Sequence, residues 1–133
     1  MANILFVNEV GEGSGHVTVL EYAARLLSKY GHSCHFALHD ITIPYAAKLA
    51  GEKYSVFQAP TLKPEPQVEP LISLNDILGR RGFSNIQKME FIKNVWENEL
   101  RLRNIDMVVV NYAPTIIQVA RTKIPVINLG TFW

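Results

Sequence analysis

Five short runs rich in apolar, β-favouring residues, separated by segments of helical period, constrain the fold of this chain more than any other feature. The first, Ile4-Leu5-Phe6-Val7, has no polar alternation, which marks a strand covered on both faces. It feeds a turn containing Gly11, Gly13, Ser14 and Gly15. Val17, Leu20, Ala24 and Leu27 then recur at helical spacing, and Gly31 stands where a left-handed cap would end that helix. Cys34 to Leu38 reads as a second strand, Thr42 to Ala50 as a short helix closed by Gly51, and Ser55 to Phe57 as a third strand. From Gln58 to Ser73 the pattern dissolves among Pro60, Pro64, Pro66 and Pro70, which favour extended backbone. Ser84 with Gln87 predicts a capping box, followed by a long helix with a stripe of Met89, Ile92, Trp96 and Leu100. Met107 to Val110 predicts a fourth strand. Pro114 opens a helix carrying Ile116, Ile117, Val119 and Ala120, and Val126 to Leu129 predicts a fifth strand.

Strands alternating with helices, joined by right-handed crossovers, predict an α/β fold: a three-layer α/β/α, Rossmann-like domain with a mainly parallel sheet in the order 3-2-1-4-5. Ligands of such sheets bind outside the carboxyl ends of the strands where the order reverses, here between the loops after the first and fourth strands. The chain of 133 residues, 48% apolar, makes one domain with a sizeable core and no need of disulfides or structural metal. Its 13 basic and 12 acidic side chains leave a net charge of +1, with no basic block to serve nucleic acid or anionic lipid. No apolar run approaches a membrane span, and the first residues do not read as a secretory signal. The lone Cys34 fits a reducing compartment, so the expected location is cytoplasmic.

The loop Glu9-Val10-Gly11-Glu12-Gly13-Ser14-Gly15-His16 carries the most chemical information. Its glycines permit a sharp turn and close approach of a ligand, or simply connect strand to helix. It is not a dinucleotide fingerprint, because His16 stands where G-x-G-x-x-G needs its third glycine, and the Walker Lys-Ser/Thr is absent. Imidazole titrates nearest neutral pH, so His16 at the crevice is suited to take a proton, or else it packs the turn. Asp40, just past the second strand, lies about where a ribose-binding acid would be. His35 and His39 share a strand face but stand four residues apart, roughly 13 Å, too far to share one zinc, so no metal is expected. His32 reads as a turn residue and Cys34 as a small buried hydrophobe. Ser14 lies in no nucleophile elbow.

Gly13-Ser14-Gly15-His16-Val17 after the first strand, Gly31-His32 before the second, the run Asn104 to Pro114, Ile124-Pro125-Val126 and Gly130-Thr131 together resemble the N-terminal half of GT-B glycosyltransferases. The similarity is to UDP-glycosyltransferases of the UDP-glucuronosyl and macrolide or flavonoid transferring type, and it spans nearly the whole chain. It implies an acceptor-binding domain of an inverting transferase that moves a sugar from a nucleotide-sugar, a UDP-sugar, to a hydroxyl of a small apolar acceptor. The resemblance makes His16 the general base. Family members often place an aspartate after the fourth strand to orient that histidine; here Asn111 stands at the position, able to hold the ring but carrying no charge. Glu9 and Glu12 are the nearest acids in sequence that could supply one.

The resemblance further implies that Gly13, Ser14 and Gly15 shape the floor of the acceptor crevice. The Pro-rich segment with Leu74, Asn75 and Ile77 is expected to form its variable wall. No cofactor is expected, the nucleotide-sugar being a co-substrate held mainly by a C-terminal domain, in cis or as a separate chain, that residues 1–133 do not include. The sequence thus reads as a truncated N-terminal domain, inactive alone, with a homodimer through the uncovered interdomain surface as a further expectation. The alternatives are a stand-alone nucleotide- or metabolite-binding module, with Asp40 on a ribose and the first helix start on a phosphate, and a pure interaction domain.

Overall fold

β1 (Asn3–Asn8) is the middle of the molecule because every one of its apolar side chains is buried. Ile4 and Phe6 point to one face of the sheet and Leu5 and Val7 to the other, so helices must cover both. The computed structural model describes residues 1–11, 14–66 and 70–130. In it β1 pairs in parallel with β2 (Ser33–Leu38) and β4 (Met107–Val110), while β3 (Ser55–Gln58) and β5 (Val126–Asn128) lie outside them. The order is β3-β2-β1-β4-β5, as the alternation predicts.

α1 (Gly15–Lys29) and α2 (Pro44–Gly51) pack on the Ile4/Phe6 face through Val17, Leu20, Ala24, Ala46 and Leu49, where Phe6 stacks on Phe36 at 5.2 Å. α4 (Ile86–Leu102) and α5 (Pro114–Ala120) cover the Leu5/Val7 face through Ile92, Trp96, Leu100, Ile116 and Val119. One charged residue of α1 is also turned inward. Glu21 accepts from the Tyr45 hydroxyl, from Lys48 Nζ at 3.1 Å and from Arg25, which ties α1 to α2. A buried carboxylate is tolerated only with such partners.

α1 ends as its sequence predicts. Gly31 takes a φ of +85°, its N–H reaches Ser28 O and that of His32 reaches Leu27 O, the double bond of a Schellman cap. His32 lies in that turn and accepts from Ala2 N at 3.1 Å, and Cys34 is buried against Ala24. Three local expectations need correction. Gly51 is the last helical residue of α2 and the left-handed position falls to Lys53, whose N–H and that of Tyr54 close the same double bond. α4 is capped by Asn85, whose Oδ1 accepts from Lys88 N at 3.0 Å, not by Ser84. The segment holding Leu74, Asn75 and Ile77 is a helix, α3 (Leu74–Arg80), opened by a Ser73–Asp76 capping box. Its seven residues are too few for a hydrophobic period to register.

Leu20 is fully buried where α1 meets the sheet. Leu20→Ala is expected to cost about 2–5 kcal/mol of unfolding free energy, read from the midpoint shift in urea.

Candidate functional site

The loops leaving β1 and β4 meet at the carboxyl edge of the sheet and are joined there by hydrogen bonds. Glu9 N and Val10 N both donate to Tyr112 O, at 3.3 and 3.2 Å, and Asn111 N donates to Val7 O. Asn8 is buried, and its amide donates to Val10 O at 2.8 Å and Asn111 O at 3.1 Å. The convergence holds Tyr112 at a φ of +53°, in the left-handed region that a bulky side chain rarely enters.

Glu9 completes the joint from the α5 side. Its two carboxylate oxygens accept from Thr115 N at 2.7 Å and Ile116 N at 2.9 Å, satisfying the open N–H groups of α5 behind Pro114. Only 1% of the residue is exposed. Burial pushes its carboxyl up to about 7 from the ordinary 4.5, against the pull of the two backbone amides. Glu9 is therefore committed to α5 and is not the charge partner of His16; Glu12 lies outside the described residues.

His16 sits in the first turn of α1, half-buried, with its ring facing the joint. Nδ1 is 2.6 Å from Asn111 Oδ1. The Asn111 amide has one orientation available, because its Nδ2 donates to Leu129 O at 3.1 Å. Oδ1 therefore faces the ring, and an oxygen there requires a proton on Nδ1. The proton-free nitrogen of the neutral imidazole is Nε2. The Tyr112 ring lies against the imidazole at 5.6 Å between centroids.

Gly11 explains the closeness of this arrangement. A Cβ at Gly11 would stand 2.7 Å from His16 Cδ2 and 2.8 Å from Nε2, and its φ of +109° also disfavours any side chain. In the sequence Gly11 reads as one of the turn-forming residues; in the structure its specific task is to let the imidazole lie against the backbone. By contrast, a Cβ at Gly15 meets nothing within 4 Å. Ser14 is the N-cap residue of α1 but makes no side-chain cap bond, and both it and Gly15 are exposed. Gly13 lies outside the described residues.

On one side of this centre Leu71, Ile72, Ser73, Leu74, Ile77 and Tyr112 line an open cavity of about 310 Å³. Leu74 and Ile77 thus share this cavity with Tyr112, while Asn75 is exposed and outside that lining. Among the described residues no group of three or more His, Cys, Asp or Glu converges as a metal site would require, and no helix is long and apolar enough to cross a membrane.

No family model and no curated protein matches the chain. Solved structures do. MurG from Acinetobacter baumannii superposes with a TM-score of 0.64 at 16% identity, over 96% of this chain and 35% of that one. CalG4, the calicheamicin glycosyltransferase, superposes with a TM-score of 0.58 at 22% identity, over 97% of this chain and 32% of that one. The fold is therefore one that recurs within GT-B glycosyltransferases, and the chain spans about a third of the length of each.

The buried Glu9 sets a pH dependence of stability with a definite sign. Its folded-state pKa lies above the unfolded value, so its contribution is complete below about pH 4.5 and is lost as the pH rises through about 7. Urea midpoints should fall across that interval. Glu9→Gln, which has no charge to bury, should be less stable at the acid end for want of a second acceptor, yet flatter across the interval; an unchanged slope would refute the assignment.

Proposed function

We propose that the chain is the acceptor-binding part of an inverting glycosyltransferase, which transfers a sugar from a UDP-sugar to a hydroxyl of a small apolar acceptor. The observation that carries this reading is the His16–Asn111 pair, with Nε2 as the free nitrogen at the carboxyl edge of the sheet. The fold shared with MurG and CalG4 supports it, as does their length, about three times that of this chain, which leaves room for a donor-binding domain.

In this reading the acceptor rests its apolar part against Leu74, Ile77 and Tyr112 and presents a hydroxyl to Nε2. His16 takes the hydroxyl proton as the oxygen attacks the anomeric carbon from the face opposite the nucleotide. The bond to the diphosphate breaks, UDP leaves with the electron pair, and the configuration inverts. A base so placed contributes about 10²- to 10⁴-fold in rate. Asn111 keeps the ring in the working tautomer, but as a neutral amide it gives the imidazolium no charge to pair with.

The test is transfer by the chain joined to a sugar-nucleotide-binding domain. His16→Ala should lower kcat by about 10²- to 10⁴-fold, whereas full activity would remove the base assignment. Asn111→Asp adds the missing charge and should move the acid limb of the pH–rate profile to higher pH.

A further inference from the structure

A second cavity opens on the other side of Gly11, and the transfer reading makes no use of it. About 310 Å³ in volume, it lies at the carboxyl ends of β1 and β2 and is lined by Asn8, Gly11, Leu38, His39, Asp40 and Ile43, with Val17 of α1. That volume is at the lower end of what small-molecule sites have, about 300–1,000 Å³.

The polar groups at its wall are chiefly acceptors. Asn8 is only 3% exposed, and its amide nitrogen is used twice on the loop side, by Val10 O and Asn111 O. Asn8 itself lines the cavity, and with its nitrogen so engaged Oδ1 is the end of the amide left to accept from a ligand. Asp40 is fixed by Thr42, whose hydroxyl and N–H both donate to the same oxygen, Oδ1, at 2.6 and 2.8 Å. Those bonds hold its carboxyl below the usual range, so it is an anion at neutral pH with Oδ2 left to accept. His39 stands beside it.

Two acceptors around an imidazole suit a ligand that offers several O–H donors. A dinucleotide suits the cavity poorly, because the His16 ring lies against Gly11 in the turn where a pyrophosphate would need close access to the backbone. We propose that this cavity is a binding site for an uncharged, hydroxyl-rich ring, a pyranoside, whose adjacent hydroxyls donate to Asn8 Oδ1 and Asp40. Such binding needs neither donor nor transfer, so it stands or falls separately from the proposed activity. Where the transfer reading also holds, the apolar cavity beside Tyr112 and this one flank His16, and the ligand spanning both is an amphipathic glycoside.

The test is a titration of the 133-residue chain, followed by amide chemical shifts, with the methyl glycosides of glucose, galactose and mannose. 2-(Hydroxymethyl)tetrahydropyran, the same ring without the adjacent hydroxyls, is the control, and UMP is the nucleotide probe. The expected result is saturable shifts at Leu38, His39 and Asp40 with at least one glycoside and none with the control. Asp40→Ala should weaken that binding about tenfold or more. Ile43→Trp, which fills the cavity from its rim and leaves the Asp40–Thr42 bonds in place, should abolish it while the dispersed spectrum shows the chain folded. No saturable shift with any of the glycosides, equal binding of the control, or binding of UMP alone would overturn the proposal.

Discussion

The joint between the loops of β1 and β4 is the constraint on which the rest of the site depends. Two central parallel strands end side by side, and the chain leaving each must find partners for its backbone groups without continuing the sheet. The solution is mutual. Tyr112 O takes two N–H groups from the β1 loop, Asn8 spans both loops, and Glu9 closes the start of α5. Once these bonds form, the positions of Asn111 and Tyr112 are set, and so is the surface that His16 meets from α1. The left-handed Tyr112 shows that the joint is strong enough to hold an unfavourable backbone conformation.

Two consequences separate the roles of the acidic and amide side chains here. A carboxylate is used where it caps N–H groups in the interior, at Glu9, and an amide where a ring must be oriented, at Asn111. An amide can donate and accept at once, so Asn111 grips Leu129 O with one end and His16 with the other. A carboxylate at the same place would have no donor for Leu129 O. The exchange gives a more firmly oriented imidazole and forgoes the charge that would stabilise its protonated form.

Strand order was legible because strand-like and helical segments alternate along the chain, and the two central strands, β1 and β4, carry unbroken apolar runs, of which β1, doubly covered, is the clearest. His16 stands out in the sequence for its place at the crevice and Asn111 through a family resemblance, and the structure brings them within 2.6 Å although 95 residues separate them. Other features leave no such trace. Nothing in the sequence tells that Glu9 turns into the core toward α5 while its neighbour Val10 joins the apolar interior, since both follow the strand equally. Gly11 is required by contact with a ring five residues on, and a contact is not a pattern. α3 is too short to show a period, and its capping box at Ser73 and Asp76 was the signal that could have found it. Lys53 takes a left-handed cap that glycine would fill more easily, because Leu49 and Ala50 offer the carbonyls two residues later than Gly51 suggests.

The most direct measurement of the central claim is the protonation of the two His16 ring nitrogens, read from imidazole ¹⁵N chemical shifts of the chain at a pH where the ring is neutral. With Asn111 oriented by Leu129, the predicted result is a proton on Nδ1 and a pyridine-like shift at Nε2. A proton found on Nε2 would contradict it, for Nε2 would then have no lone pair with which to take a proton.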